Sequence, residues 1–237
     1  MSLSQKIRIG AIAGALALSS QANSDLVGNW KFEEGSGNTA YDSSAYGNNG
    51  TINGATYVPG FNGLGLSFDG QSDLVTVPYS TSINPPSAIT LEAYVKRNSS
   101  ADGMVISKNG PYFLAIRDNK VEGGIYGPGN PSGWIHLRGV TDLGLDRWYH
   151  IMMNFDGTHI KVFLDHLLDN QAVKEGEMYI TGQALRFGWG EYGHDQFFNG
   201  VIDEVKIHNA AVPEPSTLIG LGIGAAGVAA LCGRRRK

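Results

Sequence analysis

Arg147-Trp-Tyr-His-Ile-Met-Met-Asn-Phe155 and His159-Ile-Lys-Val-Phe-Leu-Asp165 stand on either side of Asp156-Gly157. Both runs alternate, and Asp-Gly between alternating runs is a strong short-range signal for a β-hairpin. The pattern extends outward in both directions. Residues 89–96 place Ile89, Leu91, Ala93 and Val95 on one face. Further strands are expected at 104–107, 112–117, 120–126 and 134–138, with Asp118-Asn119 as a two-residue turn. Upstream, 26–33, 55–58, 65–69 and 74–77 fit short strands, and downstream 184–189 and 198–208 do so. Between the first two, 34–50 is rich in turn formers and is expected to be a long loop crowded with oxygen-bearing side chains. No sustained amphipathic helical repeat interrupts this series, and 33 glycines suit many tight turns. The expected fold is all-β, a sandwich of two antiparallel sheets of jelly-roll type, because an open sheet of so many strands would leave costly edges. Trp30, Phe32 and Trp148 are assigned to its core.

The two ends do not share this pattern. Lys6 and Arg8 precede an apolar run over 9–18 and then Ser20-Gln21-Ala22. That order of charge, short apolar run and small residues describes a helical signal peptide over 1–22, too short for a permanent span. At the other end Val212-Pro213-Glu214-Pro215 breaks the chain, since each proline lacks an N–H and restricts its predecessor. Uncharged residues 216–233 follow, near the lower length of a transmembrane helix, and then Arg234, Arg235, Arg236 and Lys237. The basic end is expected to stay cytoplasmic and the domain before it to lie outside. This order resembles the PEP-CTERM sorting signal of bacteria that secrete exopolysaccharide. The resemblance implies recognition of Val212, Pro213, Glu214 and Pro215 by an exosortase, an integral membrane transpeptidase-like enzyme, and removal of the 212–237 segment, which would anchor the chain in the membrane until then.

Setting both ends aside changes the balance of charge in the domain, 23–211. Of 18 Lys and Arg and 22 Asp and Glu, the ends hold Lys6, Arg8, Arg234, Arg235, Arg236, Lys237 and Glu214, which leaves 12 cations against 21 acids. A net charge of about −9 disfavours nucleic acid and anionic surfaces as partners. The single cysteine, Cys232, sits in the tail, so the domain has no disulfide, thiolate-metal or cysteine-nucleophile chemistry.

Trp30-Lys-Phe-Glu-Glu-Gly-Ser-Gly37, Tyr41-Asp-Ser-Ser44, Asn48-Asn-Gly-Thr51, Leu66-Ser-Phe-Asp-Gly70, Trp148-Tyr-His150, Phe155-Asp-Gly157 and Gly200-Val-Ile-Asp-Glu-Val-Lys-Ile207 follow one another in the order found in laminin G-like domains of the concanavalin A-like class. Asp165-His166 departs from the family's Asp-Gly. The resemblance implies a jelly roll with sheets of about six or seven strands, which often binds sugars or proteins, and a structural calcium ion where first and last strands meet. Glu33, Glu34, Asp42, Asn48 and Asp203 are the candidate ligands, hard oxygens of the kind calcium takes. Alternation in 201–207 sets Asp203 on one face with Val201, Val205 and Ile207. There it would need a partner, either the metal, backbone N–H groups or Lys31.

Catalysis is not expected. Related glucanases carry Glu-x-Asp-x-x-Glu on one strand, and here Val201 and Lys206 stand where the first and last acids would be. Glu92 is a lone acid, read as a solvated residue of an outer face. No Gly-x-Ser-x-Gly or His-Glu-x-x-His occurs. The expected role is a non-catalytic binding module at the cell surface or in the extracellular matrix. Its ligand is an extracellular polysaccharide or a surface protein, with exosortase as processing partner. A polysaccharide-acting enzyme and a purely structural protein are the alternatives. Sugar recognition pairs aromatic faces with polar groups, and the candidate ligand-binding residues are Tyr126, Trp134, Trp189 and Tyr192, in or near Gly-rich loops.

Overall fold

The computed structural model describes residues 25–128, 133–190 and 196–212. In chain order the strands are β1 (Leu26–Trp30), β2 (Thr39–Ala40), β3 (Gly50–Asn53), β4 (Thr56–Pro59), β5 (Leu64–Asp69), β6 (Leu74–Val77) and β7 (Ile89–Arg97). They continue with β8 (Gly103–Lys108), β9 (Tyr112–Arg117), β10 (Lys120–Tyr126), β11 (Trp134–Arg138) and β12 (Trp148–Phe155). The series ends with β13 (His159–Leu164), β14 (Leu167–Val173), β15 (Leu185–Phe187) and β16 (Asn199–His208). No helix occurs among these residues, and the helices expected within 1–22 and 216–233 lie outside them.

Two eight-stranded antiparallel sheets stack as a jelly roll. The first runs β14-β13-β12-β7-β16-β5-β4, with β1 also paired to β16, and the second runs β11-β10-β9-β8-β15-β6-β3-β2. Each therefore has more than the six or seven strands expected. Alternation explains the packing: Ile89, Leu91, Ala93 and Val95 are fully buried between the sheets, and Leu114, Val121, Ile125 and Phe187 meet them from the second sheet. Trp30 lies in this core, edge-on to Phe187 at 4.9 Å, and donates from Nε1 to the Asn48 carbonyl at 2.9 Å. Gly28 makes room for it, since a Cβ there would run into the indole.

Three hairpin turns match their sequence. Asp118 and Asn119 both have positive φ (48° and 61°), as a type I′ turn requires. Asp156 caps its own turn by accepting the N–H groups of Thr158 and His159 at 2.8 and 2.7 Å. Asp165-His166 also takes positive φ at both residues (49° and 66°), so the turn tolerates His where glycine is easiest. It joins β13 to β14, a strand that alternation does not reveal.

Several expectations are corrected. Residues 34–50 are not one loop, because β2 and the start of β3 fall within them. Trp148 is half-buried on the outer face of the first sheet, against Phe61 and under Lys96, and not in the core; Tyr149, Ile151, Met153 and Phe155 take the inner face of β12. Asp203 does not share a face with Val205 and Ile207. A β-bulge between Asp203 and Lys206 sets Glu204 at φ 48° and reverses the alternation. Ile202, Val205 and Ile207 therefore point inward, and Asp203 pairs opposite Tyr94 on the outer face.

The turn between β4 and β5 covers Asp203, which is 0 % exposed. Its Oδ2 accepts the N–H groups of Phe61 and Asn62 at 2.9 and 3.0 Å, and Oδ1 accepts that of Glu204 at 2.7 Å. Asp203→Ala should cost about 2–3 kcal/mol, the penalty of stranding such donors, and Asp203→Asn less. Chemical denaturation measures both, and an unchanged midpoint for the alanine variant would remove the bulge carboxylate from the account of stability.

Candidate functional site

The outer face of the second sheet carries Tyr126, Trp134 and Trp189, three of the four aromatic residues nominated for a ligand. On β10 and β11 the outward positions are Glu122, Gly124 and Tyr126, opposite Arg138, His136 and Trp134. Trp134 meets Tyr126 at 4.9 Å and packs edge-on against Phe113 at 5.5 Å. Tyr126 in turn meets Tyr179, 43 % exposed, at 5.2 Å. Gly124 is where the Phe113 ring lies down, since a Cβ would strike it. Met104, Phe113 and Ala115 form a separate small apolar cluster under Trp134, outside the main core. The result is a half-exposed aromatic ridge on a firm apolar floor.

Beside the ridge lies Glu122, fully buried although it faces outward. Arg138 binds its Oε2 through Nε and Nη2 at 3.0 and 2.8 Å, and His136 Nδ1 meets Oε1 at 2.8 Å. A carboxylate only accepts, so His136 donates from Nδ1. Arg138 also reaches Asp118. Glu122 and Asp118 are thus tied to one guanidinium.

Trp189 lies on the same face but elsewhere, above β8 and β15. Ser107 Oγ donates to its carbonyl at 3.0 Å, and the Arg186 guanidinium lies 4.6 Å over its ring. Two strands, β9 and β10, separate it from Trp134. Tyr192 lies outside the described residues. Of the four nominated ligand-binding residues, Tyr126 and Trp134 come together; Tyr179, missed in the sequence because no alternation surrounds it, completes their group.

The calcium candidates fall in different places. Asp42 accepts N–H groups from Asn29, Ser44 and Asn48 at 2.8, 2.8 and 2.7 Å. Asn48 spends its amide on the Val27 carbonyl and Ser82 Oγ. Glu34 accepts from Tyr41 N and from Tyr57 Oη. Burial, with the Glu34 charge and hydrogen bond behind it, pushes Tyr57 up to about 12, so that hydroxyl keeps its proton. Glu33 accepts the Leu64 N–H at 3.2 Å, and Asp203 is engaged in the bulge. Calcium needs six to eight oxygens aimed at one point. These carboxylates aim at this chain's own donors, and no three His, Cys, Asp or Glu side chains gather to hold a metal among the described residues. The set does not fit the ion.

A second group, not foreseen as such, occupies the outer face of the first sheet. Three of the chain's six histidines gather around Glu92, which is not the solvated acid expected. Glu92 Oε2 meets His150 Nε2 at 2.9 Å, and Oε1 lies 3.5 Å from His208 Nε2. His166, set by its left-handed turn, stacks on His150 at 4.0 Å and meets the Tyr94 hydroxyl at 3.2 Å. Phe61 stacks on the same Tyr94 at 3.8 Å. Burial alone would raise the Glu92 carboxyl, but hydrogen bonds from His150 and His208 and the Lys206 charge outweigh it and hold the group well below the ordinary 4.5. Burial, then the nearby His150, pushes His166 down.

An antiparallel sandwich with a half-exposed aromatic ridge on one sheet is the class this geometry defines. The chain belongs to the concanavalin A-like lectin/glucanases superfamily, matched over residues 69–216, and residues 211–237 match the PEP-CTERM protein-sorting motif, which indicates export to the surface or extracellular space. No curated protein sequence matches the chain. Among solved structures it is similar to domain 4 of AbnA, a GH43 extracellular arabinanase from Geobacillus stearothermophilus, in complex with arabinotriose: TM-score 0.65, 18 % identity, 81 % of this chain and 95 % of that one. The binding domain of Paraclostridial Mosquitocidal Protein 1 gives TM-score 0.65 and 14 % identity over 81 % of this chain. Botulinum neurotoxin type C, whose cell entry depends on two ganglioside molecules, gives 0.62 and 15 % over 83 %. This chain spans 50 % of each toxin fragment. At such identities the likeness is one of fold.

Two outcomes are expected. Chelators should leave the melting temperature unchanged, and a fall reversed by calcium would overturn the assignment of these carboxylates to N–H donors. For Glu92 the folded value lies below the unfolded one, so the ionised group stabilises the fold above about pH 4.5 and loses that contribution as pH falls through the lower value. Glu92→Gln should cost about 1–3 kcal/mol at pH 7 and flatten the acid limb of stability against pH, read from urea midpoints.

Proposed function

We propose that this chain is an exported, exosortase-processed surface or matrix protein whose jelly roll binds carbohydrate without transforming it, the exopolysaccharide of its own matrix being the leading ligand. The observation that carries this reading is the ridge of Tyr126, Trp134 and Tyr179, partly open and backed by a separate apolar floor. Sugar rings stack their apolar faces on such surfaces, and their hydroxyls need polar neighbours. His136 and Arg138, held in place by Glu122, supply fixed polar groups on the adjoining positions.

A glycosidase needs one carboxylic acid and one free carboxylate across a groove. Along the same strands, the Glu122 carboxyl is locked between Arg138 and His136, and Asp118, in the turn at the far end of β10, shares that arginine. That arrangement supports binding over hydrolysis. A net-acidic domain also suits an uncharged or cationic ligand. The sorting segment supplies the address: residues 211–237 match the sorting motif, and their uncharged run and basic end would hold the chain in the membrane until an exosortase acts at Pro213-Glu214-Pro215.

Binding of the chain to a glycan array, followed by calorimetry on the best ligand, tests the reading. Trp134→Ala should weaken affinity at least about tenfold, or about 1.4 kcal/mol, with the denaturation midpoint little changed. Wild-type affinity in that variant would move the site elsewhere, and a folded chain that binds no glycan would leave a structural role.

A further inference from the structure

Thr90 and Asn154 pair across β7 and β12 on the outer face of the first sheet, where polar side chains usually meet water. Thr90 is nevertheless 0 % exposed and Asn154 4 %. The chain's own stem beyond β16 covers them. Thr90 Oγ1 donates to the Ala210 carbonyl at 2.9 Å and accepts from Val212 N and Asn154 Nδ2, both at 3.1 Å. Asn154 Nδ2 also donates to the Val212 carbonyl at 3.1 Å. Just upstream, Asn209 and Asp25 exchange two hydrogen bonds, at 3.1 and 2.9 Å. Both backbone groups of Val212 are therefore held by buried side chains, and the next residue in the chain is Pro213 of the sorting motif.

We infer that Thr90 and Asn154 are positioning residues that clamp the stem and limit exosortase access to Pro213-Glu214-Pro215, so that processing proceeds through release of residues 210–212. The inference rests on the sorting reading above. In processing, a peptide bond at the motif breaks, its carbonyl passing to the enzyme's nucleophile and then to water or an amine. Its nitrogen leaves with the tail and takes a proton. Enzymes that act on peptides engage extended backbone through N–H and C=O groups. Val212 can offer neither while clamped, and Pro213 has no N–H to offer instead. Only three residues separate Val212 from Ser216, where the apolar segment begins. At roughly 3.3–3.6 Å per residue the four steps from Val212 to Ser216 span about 14 Å at most. An enzyme embedded in the membrane would thus meet the sandwich itself at the motif. Releasing 210–212 nearly doubles that reach.

The full-length chain, expressed with an exosortase in a bacterial host and followed by pulse-chase, supplies the test. Thr90→Val keeps shape but removes the hub of the clamp, and it should be processed roughly three- to tenfold faster, the effect of losing about one net hydrogen bond. Thr90→Ser should restore the wild-type rate. A Gly-Ser-Gly-Ser insertion after Val212 gives slack without touching the domain. It should match Thr90→Val, and the two changes together should be no faster than either. Insertion and Thr90→Val variants processed at the wild-type rate or slower overturn the clamp, and the insertion alone decides if Thr90→Val fails to fold. Absence of processing in wild type, or undiminished processing after all three motif residues become alanine, overturns the sorting reading and the clamp with it.

Discussion

β16 is the last strand among the described residues and a central strand of its sheet. Its Asn199–Ile202 half pairs with β5, its Val205–His208 half pairs with β1, and β7 lies along its other side. The bulge at Glu204 marks the change from one neighbour to the other. Asp203 makes the bulge hold: it takes the strand's own N–H from Glu204 and two more from a turn about 140 residues upstream. Burial raises this carboxyl, while the N–H groups of Asn62, Glu204 and Phe61 draw it down. The left-handed backbone of Glu204 is strain that a non-glycine residue accepts only when its surroundings determine it. Here they do, through Asp203 and through Asn62, which donates to the Glu204 carboxylate at 3.0 Å. Until β16 arrives, β1 lacks a strand partner, and β5 and β7 each lack one of two. The first sheet therefore closes only when the C-terminal part of the domain is available. Such non-local pairing folds slowly.

Much of this was legible in the sequence, and the failures have physical causes. Strands with apolar alternation, such as β7, β9, β10 and β12, were read nearly to the residue, because one face must be buried. β2 is two residues long and β14 exposes Leu167 and Val173, so neither shows a buried face. The face of Asp203 was misread because alternation assumes an unbroken strand, and a bulge leaves no mark in composition. Trp148 was misplaced because size was weighed over phase. Its neighbours Tyr149 and Ile151 set the inner face, which leaves Trp148 with His150 on the other. Glu92 looked solitary because its partner His208 lies more than a hundred residues away, and only sheet pairing brings them together. At the ligand ridge, Tyr126 and Trp134 were legible from their Gly-rich surroundings, whereas Tyr179 depends on its N–H bond to the Tyr126 carbonyl.

The two outer faces are used differently. On the first sheet the chain covers itself: the turn at 60–63 lies over Asp203 and Tyr94, the His166 turn over His150, and the stem over Thr90 and Asn154. The histidines there pack against Glu92, Tyr94 and one another rather than facing open solvent. On the second sheet, Trp134, Tyr126 and Tyr179 contact one another and leave ring surface open. A jelly roll by itself names no function. The contrast between a face filled by the chain and a face left partly open is what the proposed binding site rests on.

The same contrast joins the address to the fold. Asp25 and Asn209 hold the two ends of the domain together, so both ends of the described sandwich lie in one region. That region belongs to the first sheet, through Thr90 and Asn154. A tether attached there draws on the face the chain already covers and makes no demand on the aromatic ridge across the core. The proposed anchoring and the proposed ligand binding then do not compete for the same surface, because strand β16 places the exit on one sheet and the pairing of β10 with β11 places the ridge on the other.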